Sequence, residues 1–382
     1  MFKLNTIIAI SLFGLTACGG GGGGFTERPV VLDGIFKDSN VTGLSFVSGD
    51  QKAITDAGKF KYESGENVTF SLGGIDFGTA LAKPVMTPID LVTDGKLSDT
   101  EVINRVRLLM MLDEDNTPSN GIVISPKVQA KAERWSAVDF SAVDFLNEVN
   151  AIQLEATAED GVAHTLPSSD DAIAHLKTTL LCSSAGAFVG TYTGSESGNI
   201  AFMVDPVSGE VSGASYDSAS QVSYGVNSLT EIDYENDFDF VAGEDSAKKF
   251  TGSLSSSDEM QGSWLNVSNN TKTGSFSGER IGGSGNAIYR YTAVFTGDNG
   301  KGVYTFDVAS NNAVTGLAYN VSSKAQSVLT GTINDNTLDV TAADGTAIDG
   351  LIDETTRALT GVWANVSVLD AGTFSGGGCK LN

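Results

Sequence analysis

Histidine, cysteine, proline and basic residues are all scarce in this chain of 382 residues. It has 2 His, 3 Cys, 7 Pro, and 23 Lys plus Arg against 47 Asp plus Glu. Each shortage excludes something. Two histidines, His164 and His175, cannot build a multi-histidine metal centre. A Ser–His–Asp triad would have to use one of them, and neither stands near a Gly-x-Ser-x-Gly nucleophile elbow. His164 lies in a polar segment before Pro167, and His175 falls on the polar side of a predicted helix, each without an obvious partner. The formal net charge of −24 argues against nucleic acid, which needs clustered Lys and Arg, and against docking on anionic headgroups. No catalytic residue emerges, and the expectation is a non-enzyme. What is abundant is glycine, 45 residues, with much Ser, Thr, Asn and Asp. That mixture suits many short strands joined by turns.

Long apolar runs are also missing. Ile7 to Leu15 is apolar except for Ser11 and Gly14, follows Lys3, and leads through Thr16 and Ala17 to Cys18. This is too short to cross about 30 Å of hydrocarbon, and its three parts predict an export signal over 1–17. Leu15-Thr16-Ala17-Cys18 resembles the lipobox of bacterial lipoproteins. The resemblance implies cleavage before Cys18, a diacylglycerol carried on its sulfur, a fatty acid such as palmitate on its amine, and a membrane partner reached through the lipid. Several acyl chains together give a stable anchor. Gly19 stands where an aspartate would favour inner-membrane retention, so the resemblance implies the outer membrane, at the cell surface or the periplasmic face. The glycines from Gly19 to Gly24 form the start of a tether over 18–29 with reach of about 5–6 Å × √n. With Cys18 lipidated, Cys182 and Cys379 remain as an even pair in an oxidising compartment, and a disulfide between them is predicted.

The fold class expected is mainly β with a helical insertion: an α+β unit over 30–183, then two tandem antiparallel barrels or sandwiches over 186–282 and 285–379. In the first unit, Val41 to Val47, Lys59 to Tyr62 and Val68 to Leu72 alternate, punctuated by Gly49-Asp50, Ala57-Gly58 and Gly73-Gly74. Val41-Thr42-Gly43-Leu44 with Thr55 to Tyr62 resembles the small β-sandwich modules of carboxypeptidase-regulatory type. Val102, Val106, Leu109 and Met110 then fall at helical spacing after a cap at Ser98-Asp99-Thr100-Glu101. Further helices are predicted at 126–135, 139–156 and 169–181. The last has a Ser168-Ser169-Asp170-Asp171 start and an apolar face of Ile173, Leu176, Leu180 and Leu181.

The remainder is an internal repeat. Thr191-Tyr192-Thr193-Gly194 corresponds to Val294-Phe295-Thr296-Gly297, and Gly262-Ser263-Trp264-Leu265-Asn266-Val267-Ser268 to Gly361-Val362-Trp363-Ala364-Asn365-Val366-Ser367. Gly274-Ser275-Phe276-Ser277-Gly278 then matches Gly372-Thr373-Phe374-Ser375-Gly376. Alternating strands are predicted at Ile200 to Val204 and Val303 to Val308. A turn signal every eight to twelve residues reads as an antiparallel meander of seven or eight strands per copy. Such repeats resemble uncharacterised β-repeats of secreted bacterial lipoproteins and, more distantly, the small barrels of surface lipoproteins that capture host iron-binding proteins.

Three further features are candidate sites. Asp113, Asp115 and Asn120 crowd a turn after the first helix, and clustered oxygens suit calcium. Pro118 and Ile124 break the EF-hand pattern, and an acidic helix-ending turn with Asn120-Gly121 as cap is the competing reading. Trp264 and Trp363 either stack on a sugar or plug the cores of their copies. Trp135 is read as core. Glu63, Glu66 and the run 231–237 offer carboxylates, though acid–apolar alternation over 231–241 marks a strand with one wet face. The function expected is an envelope lipoprotein with a binding or structural role, adhesin-like or matrix-associated. The alternatives are capture of a glycan, haem or host protein by the β-units, and a secreted hydrolase. No cofactor beyond calcium is implied.

Overall fold

The computed structural model describes residues 29–232, 237–255, 258–283, 287–298 and 300–381. The predicted export signal, Cys18 and the glycine run lie outside the described residues. The protein is mainly β, with two tandem closed eight-stranded barrels behind an N-terminal α+β unit.

In that unit Val31–Phe36 pairs with Lys59–Glu63 antiparallel and with Val85–Met86 in parallel. A second sheet orders Gln51–Ile54, Ser45–Ser48, Asn67–Leu72 and Ile75–Leu81. The helices are α1 Thr100–Met111, α2 Pro126–Ala132, α3 Phe145–Asp160 and α4 Ser169–Ser184. Alternation sends Phe46, Phe60, Phe70 and Phe77 into one core with Leu108 of α1, Val128 of α2 and Phe145 and Val149 of α3. Sheets and helices thus share a single apolar interior.

Four helix boundaries differ from the sequence expectation: α3 and α4 run on to Asp160 and Ser184, past 156 and 181, and two others fall short. The helix expected from 139 begins at Phe145, because the Asp139 carboxylate accepts from the Ser141 N–H and hydroxyl, holding a turn, and Asp144 accepts from the Asn147 N–H. The helix expected to 135 stops at Ala132. Trp135, just beyond it, is buried as expected and donates Nε1–H to Glu155 at 2.7 Å.

Barrel 1 runs through Gly186–Gly194, Gly198–Val204, Val211–Asp217, Val222–Ser228, Asp237–Ala242, Lys248–Leu254, Glu259–Asn266 and Thr273–Ile281. Barrel 2 runs through Ala287–Gly297, Lys301–Ala309, Ala313–Asn320, Gln326–Asn334, Thr337–Ala342, Ala347–Ile352, Ala358–Asn365 and Asp370–Lys380. Each strand pairs with its chain neighbours, and the last closes on the first, Phe276 opposite Tyr192 and Phe374 opposite Phe295. Closure leaves no open sheet edge.

The repeated Gly-x-Trp and Gly-x-Phe frames follow from packing. The ring of Phe276 lies over Gly252 and Gly262, where any Cβ would collide with it, and Phe374 lies over Gly361 in the same way and close against Gly350. Gly274 and Gly372 leave room for the indole edges of Trp264 and Trp363. The glycines are therefore the sockets for the aromatics that the repeat also specifies.

Strand Gly198–Val204 is buried at every position, and Lys301–Ala309 nearly so. This corrects the expectation of alternating strands there. One face fills the barrel and the other meets the neighbouring barrel, where Ala187, Val189, Ala201 and Ala214 pack with Val303, Tyr319 and Val321. Asn199 Nδ2–H donates across this seam to the Val321 carbonyl at 2.9 Å.

Candidate functional site

Cys182, in the last turn of α4, and Cys379, in the closing strand of barrel 2, form a disulfide with Cα atoms 5.8 Å apart. The tail it secures is also held by the N-terminal unit. Lys37 Nζ and Asn40 Nδ2 donate to the Leu381 carbonyl at 2.7 and 3.0 Å. Burial, and then the nearby Arg290 charge, bring the Lys37 ammonium down to about 8.

The acidic turn after α1 is closed on itself. Asp113 Oδ1 accepts from the Val123 N–H at 2.9 Å and Oδ2 from the Thr117 N–H at 2.8 Å. Asp115 Oδ1 accepts from Thr117 N–H at 2.8 Å and Oδ2 from Asn120 Nδ2–H at 2.9 Å. Each oxygen of the Asp113 and Asp115 carboxylates thus has a donor from the chain, and these bonds hold the turn. Burial pushes the Asp113 carboxyl up to about 6 against the pull of its two N–H donors. Among the described residues no group of three or more His, Cys, Asp and Glu is gathered that could hold a metal. Nor does Asn120-Gly121 cap α1: a separate 3-10 turn, Pro118–Asn120, ends there.

Both histidines have partners that the sequence did not disclose. His164 is buried, with Nδ1 2.6 Å from the Met111 carbonyl and Nε2 3.0 Å from Asp160. His175 lies inward rather than on a polar face, its Nε2 3.1 Å from Asp38, a fully buried carboxylate. Burial lowers the His175 pKa, but the Asp38 charge, with Asp113 behind it, outweighs burial and raises it above the ordinary value. Glu63 accepts from the Asp50 N–H at 2.9 Å and holds a hairpin, while Glu66 is exposed. Of the run 231–237, residues 233–236 lie outside the described residues. Asp237 and Asp239 alternate with the inward Phe238 and Phe240 of barrel 1.

Trp264 and Trp363 are 2% and 6% exposed, inside their barrels. Each donates Nε1–H to the first strand, Trp264 to Thr193 at 2.9 Å and Trp363 to Thr296 at 3.3 Å. Each meets one aromatic edge-on, Tyr192 at 5.8 Å and Phe295 at 5.7 Å between centroids. Both indoles are packed as core plugs, and Trp363 also borders a cavity at its end of barrel 2.

The barrel ends around these tryptophans differ. In barrel 1 the Lys248 ammonium, buried, sits 2.8 Å from Glu196 and 3.0 Å from Asp217, while Lys272 lies 2.8 Å from the other oxygen of Glu196. The Tyr192 hydroxyl donates to Asp217 at 3.3 Å, and Lys248 lies 5.9 Å above the Tyr192 ring. Burial opposes ionisation of Asp217, but the Ser220 N–H and Lys248 overcome it and hold the carboxyl at about 2. In barrel 2 the corresponding end is a cavity of about 190 Å³, lined by Phe295, Tyr304, Trp363, Asn320, Asp344 and Asp370 among others. On the outside of barrel 1, a groove of about 930 Å³ runs over Asp239, Thr251, Gln261, Ser275 and Ser277.

No protein-family model matches the chain. No curated protein sequence matches it either. Among solved structures, it is similar to a single-substitution form of Transferrin Binding Protein B from Actinobacillus pleuropneumoniae H49. That protein is 11% identical over 33% of this chain and 79% of its own, with a TM-score of 0.21. A crystallised surface lipoprotein is 12% identical over 31% and 75%, with a TM-score of 0.20. Intact Ap-TbpB, with N and C lobes, is 12% identical over 51% and 76%, with a TM-score of 0.19. Scores this low leave these proteins as points of likeness only. Among the described residues no helix is long and apolar enough to cross a membrane.

Proposed function

We propose that this chain is a lipid-anchored protein of the bacterial cell envelope that binds a partner at the surface of its barrels and performs no covalent chemistry. The observation that carries the reading is how the barrels are filled and fixed. Eight aromatic rings occupy the interior of barrel 1, so a haem or an oligosaccharide has no lumen to enter. Barrel 1 continues directly from α4, barrel 2 is tied to α4 by Cys182–Cys379, and the two share an apolar seam. Such a body is a rigid display of outer faces, which loses little freedom on binding. The anchor is Cys18, and the outer membrane is its site.

The test uses cells carrying the full chain, with a clickable palmitate analogue and protease added to intact cells. The expected result is label on the protein, its loss in Cys18→Ser, and digestion of the barrels without lysis. Absence of label in the native chain removes the anchor. Full protection from protease places the barrels in the periplasm and removes surface binding.

A further inference from the structure

The two barrels can be superposed position by position through their pairing. Lys248 stands opposite Asn266 in barrel 1. Thr346 donates no ammonium, and its hydroxyl accepts from Asn365, which follows Trp363 as Asn266 follows Trp264. Asp217 opposite Gly198 becomes Asn320 opposite Gly302. Lys272, bonded through its carbonyl to Asn266, becomes Asp370 opposite Asn365. Thus the end of barrel 1 holds Glu196 and Asp217 balanced by Lys248 and Lys272, a neutral set. The end of barrel 2 has lost both lysines. Its cavity is lined by Asp344 and Asp370, and no Lys or Arg is among the described residues lining it.

We propose that the end of barrel 2 is a binding site for an alkylammonium group, the chemistry shared by a lysine side chain and a small primary amine. The guest would stand where barrel 1 places its own Lys248. The ammonium lies between Asp370 and Asp344 and the alkyl stem lies on Phe295 and Trp363, a charge over aromatic faces. The volume of about 190 Å³ suits one such side chain and excludes anything of haem size. Asp344 is already oriented, its Oδ1 accepting from Thr346 and its Oδ2 from Ser327. The exposed Val366, Val368 and Leu369 beside the opening would be covered by a protein carrying the lysine and left bare by a free amine. The proposal rests on the binding reading above but not on where the protein resides, so protection from protease on cells would leave it standing.

The experiment reads the three indole N–H resonances of Trp135, Trp264 and Trp363 in the purified, ¹⁵N-labelled Cys18→Ser chain at neutral pH. The probes are n-butylamine, Nα-acetyl-lysine methylamide and a lysine-containing apolar peptide, each beside its uncharged isostere. The expected result is that the cations shift the Trp363 resonance in a saturable way, that the isosteres do not, and that Trp264 stays still. Asp370→Asn should weaken binding about tenfold, as expected for one charge-assisted contact. Thr346→Lys should abolish it by supplying the ammonium from within, which keeps the test alive if Asp370→Asn fails to fold. Tighter binding of the peptide than of butylamine assigns the site to a protein lysine; equal binding assigns it to a free amine. Equal shifts from the uncharged isosteres, or no shift from any cation, overturn the proposal.

Discussion

Barrel 1 and barrel 2 share strand number, closure and the Gly-x-Trp and Gly-x-Phe sockets, yet they are filled differently. Phe238, Phe240 and Phe250 of barrel 1 stand where Leu338, Val340 and Ile348 stand in barrel 2. The first three form a stack, Phe240 lying 4.9 Å from Phe250 and 5.7 Å from Phe238 between centroids. Barrel 2 recovers some volume with Tyr304, where barrel 1 has Ile200, but it keeps a cavity where barrel 1 is sealed by Lys248. The lesson is that the aromatic sockets fix the fold, while the positions between them are free to seal an end or to open it. One copy carries Lys248 between Glu196 and Asp217, and the other has Thr346, Asn320 and Asp370 around a cavity.

Truncating the two indoles breaks the comparison most strongly. Trp264→Ala removes a side chain packed on all sides and should cost about 3–5 kcal/mol, with loss of cooperative unfolding in barrel 1. Trp363→Ala should cost less, because its indole already borders a cavity and gives up fewer contacts. Scanning calorimetry of both variants checks the order. Equal losses would mean that the cavity of barrel 2 closes around its tryptophan in solution.

The two barrels are also fastened differently, one by the continuing backbone and the other by sulfur. Cys379→Ser should remove about 2–4 kcal/mol, somewhat less than the ideal chain-entropy figure for so long a loop. Hydrogen exchange should quicken in Asp370–Lys380 of barrel 2 and stay unchanged in Gly186–Gly194 of barrel 1. A uniform increase over both would show that the seam between barrels needs the bridge. Lys248→Met, smaller again, should cost about 1–3 kcal/mol, since Glu196 keeps Lys272 and Asp217 keeps the Ser220 and Ala219 N–H donors. It would also give barrel 1 an end without its cation, and an alkylammonium should then begin to shift the Trp264 resonance.

Much of this body was legible in the sequence. The repeat, the meander, the α+β unit and the Cys182–Cys379 bridge follow from spacing and composition, because each is a local pattern or a simple count. Closure of the first strand on the last leaves no local mark, since Tyr192 and Phe276 meet only in three dimensions. The unbroken apolar run Ile200 to Val204 did carry a sign of burial on both faces, one that a search for alternation passes over. His175 and Asp38 lie too far apart in the chain for pairing to be read. The difference between the barrel ends was open to a residue-by-residue alignment of the copies, but it has no meaning until pairing shows that Lys248 and Thr346 occupy one place.

Acid provides the finest test of that difference. Asp217 is held at about 2 in the folded chain, below its ordinary value of 3.8. A carboxyl depressed by folding adds stability that is present above the unfolded pKa and is lost as pH falls through the folded one. The share contributed by Asp217 is therefore intact at pH 5 and fades between about 4 and 2. Barrel 2 has the uncharged Asn320 at this place and lacks that share. With Trp264 as reporter in a Trp135→Phe, Trp363→Phe background, the stability of barrel 1 should fall through this window, and Lys248→Met should flatten the fall. If the slope persists unchanged in Lys248→Met, the backbone donors at Ala219 and Ser220 alone depress Asp217. The buried ammonium would then act as a plug for the barrel and not as the counter-charge of its carboxylates.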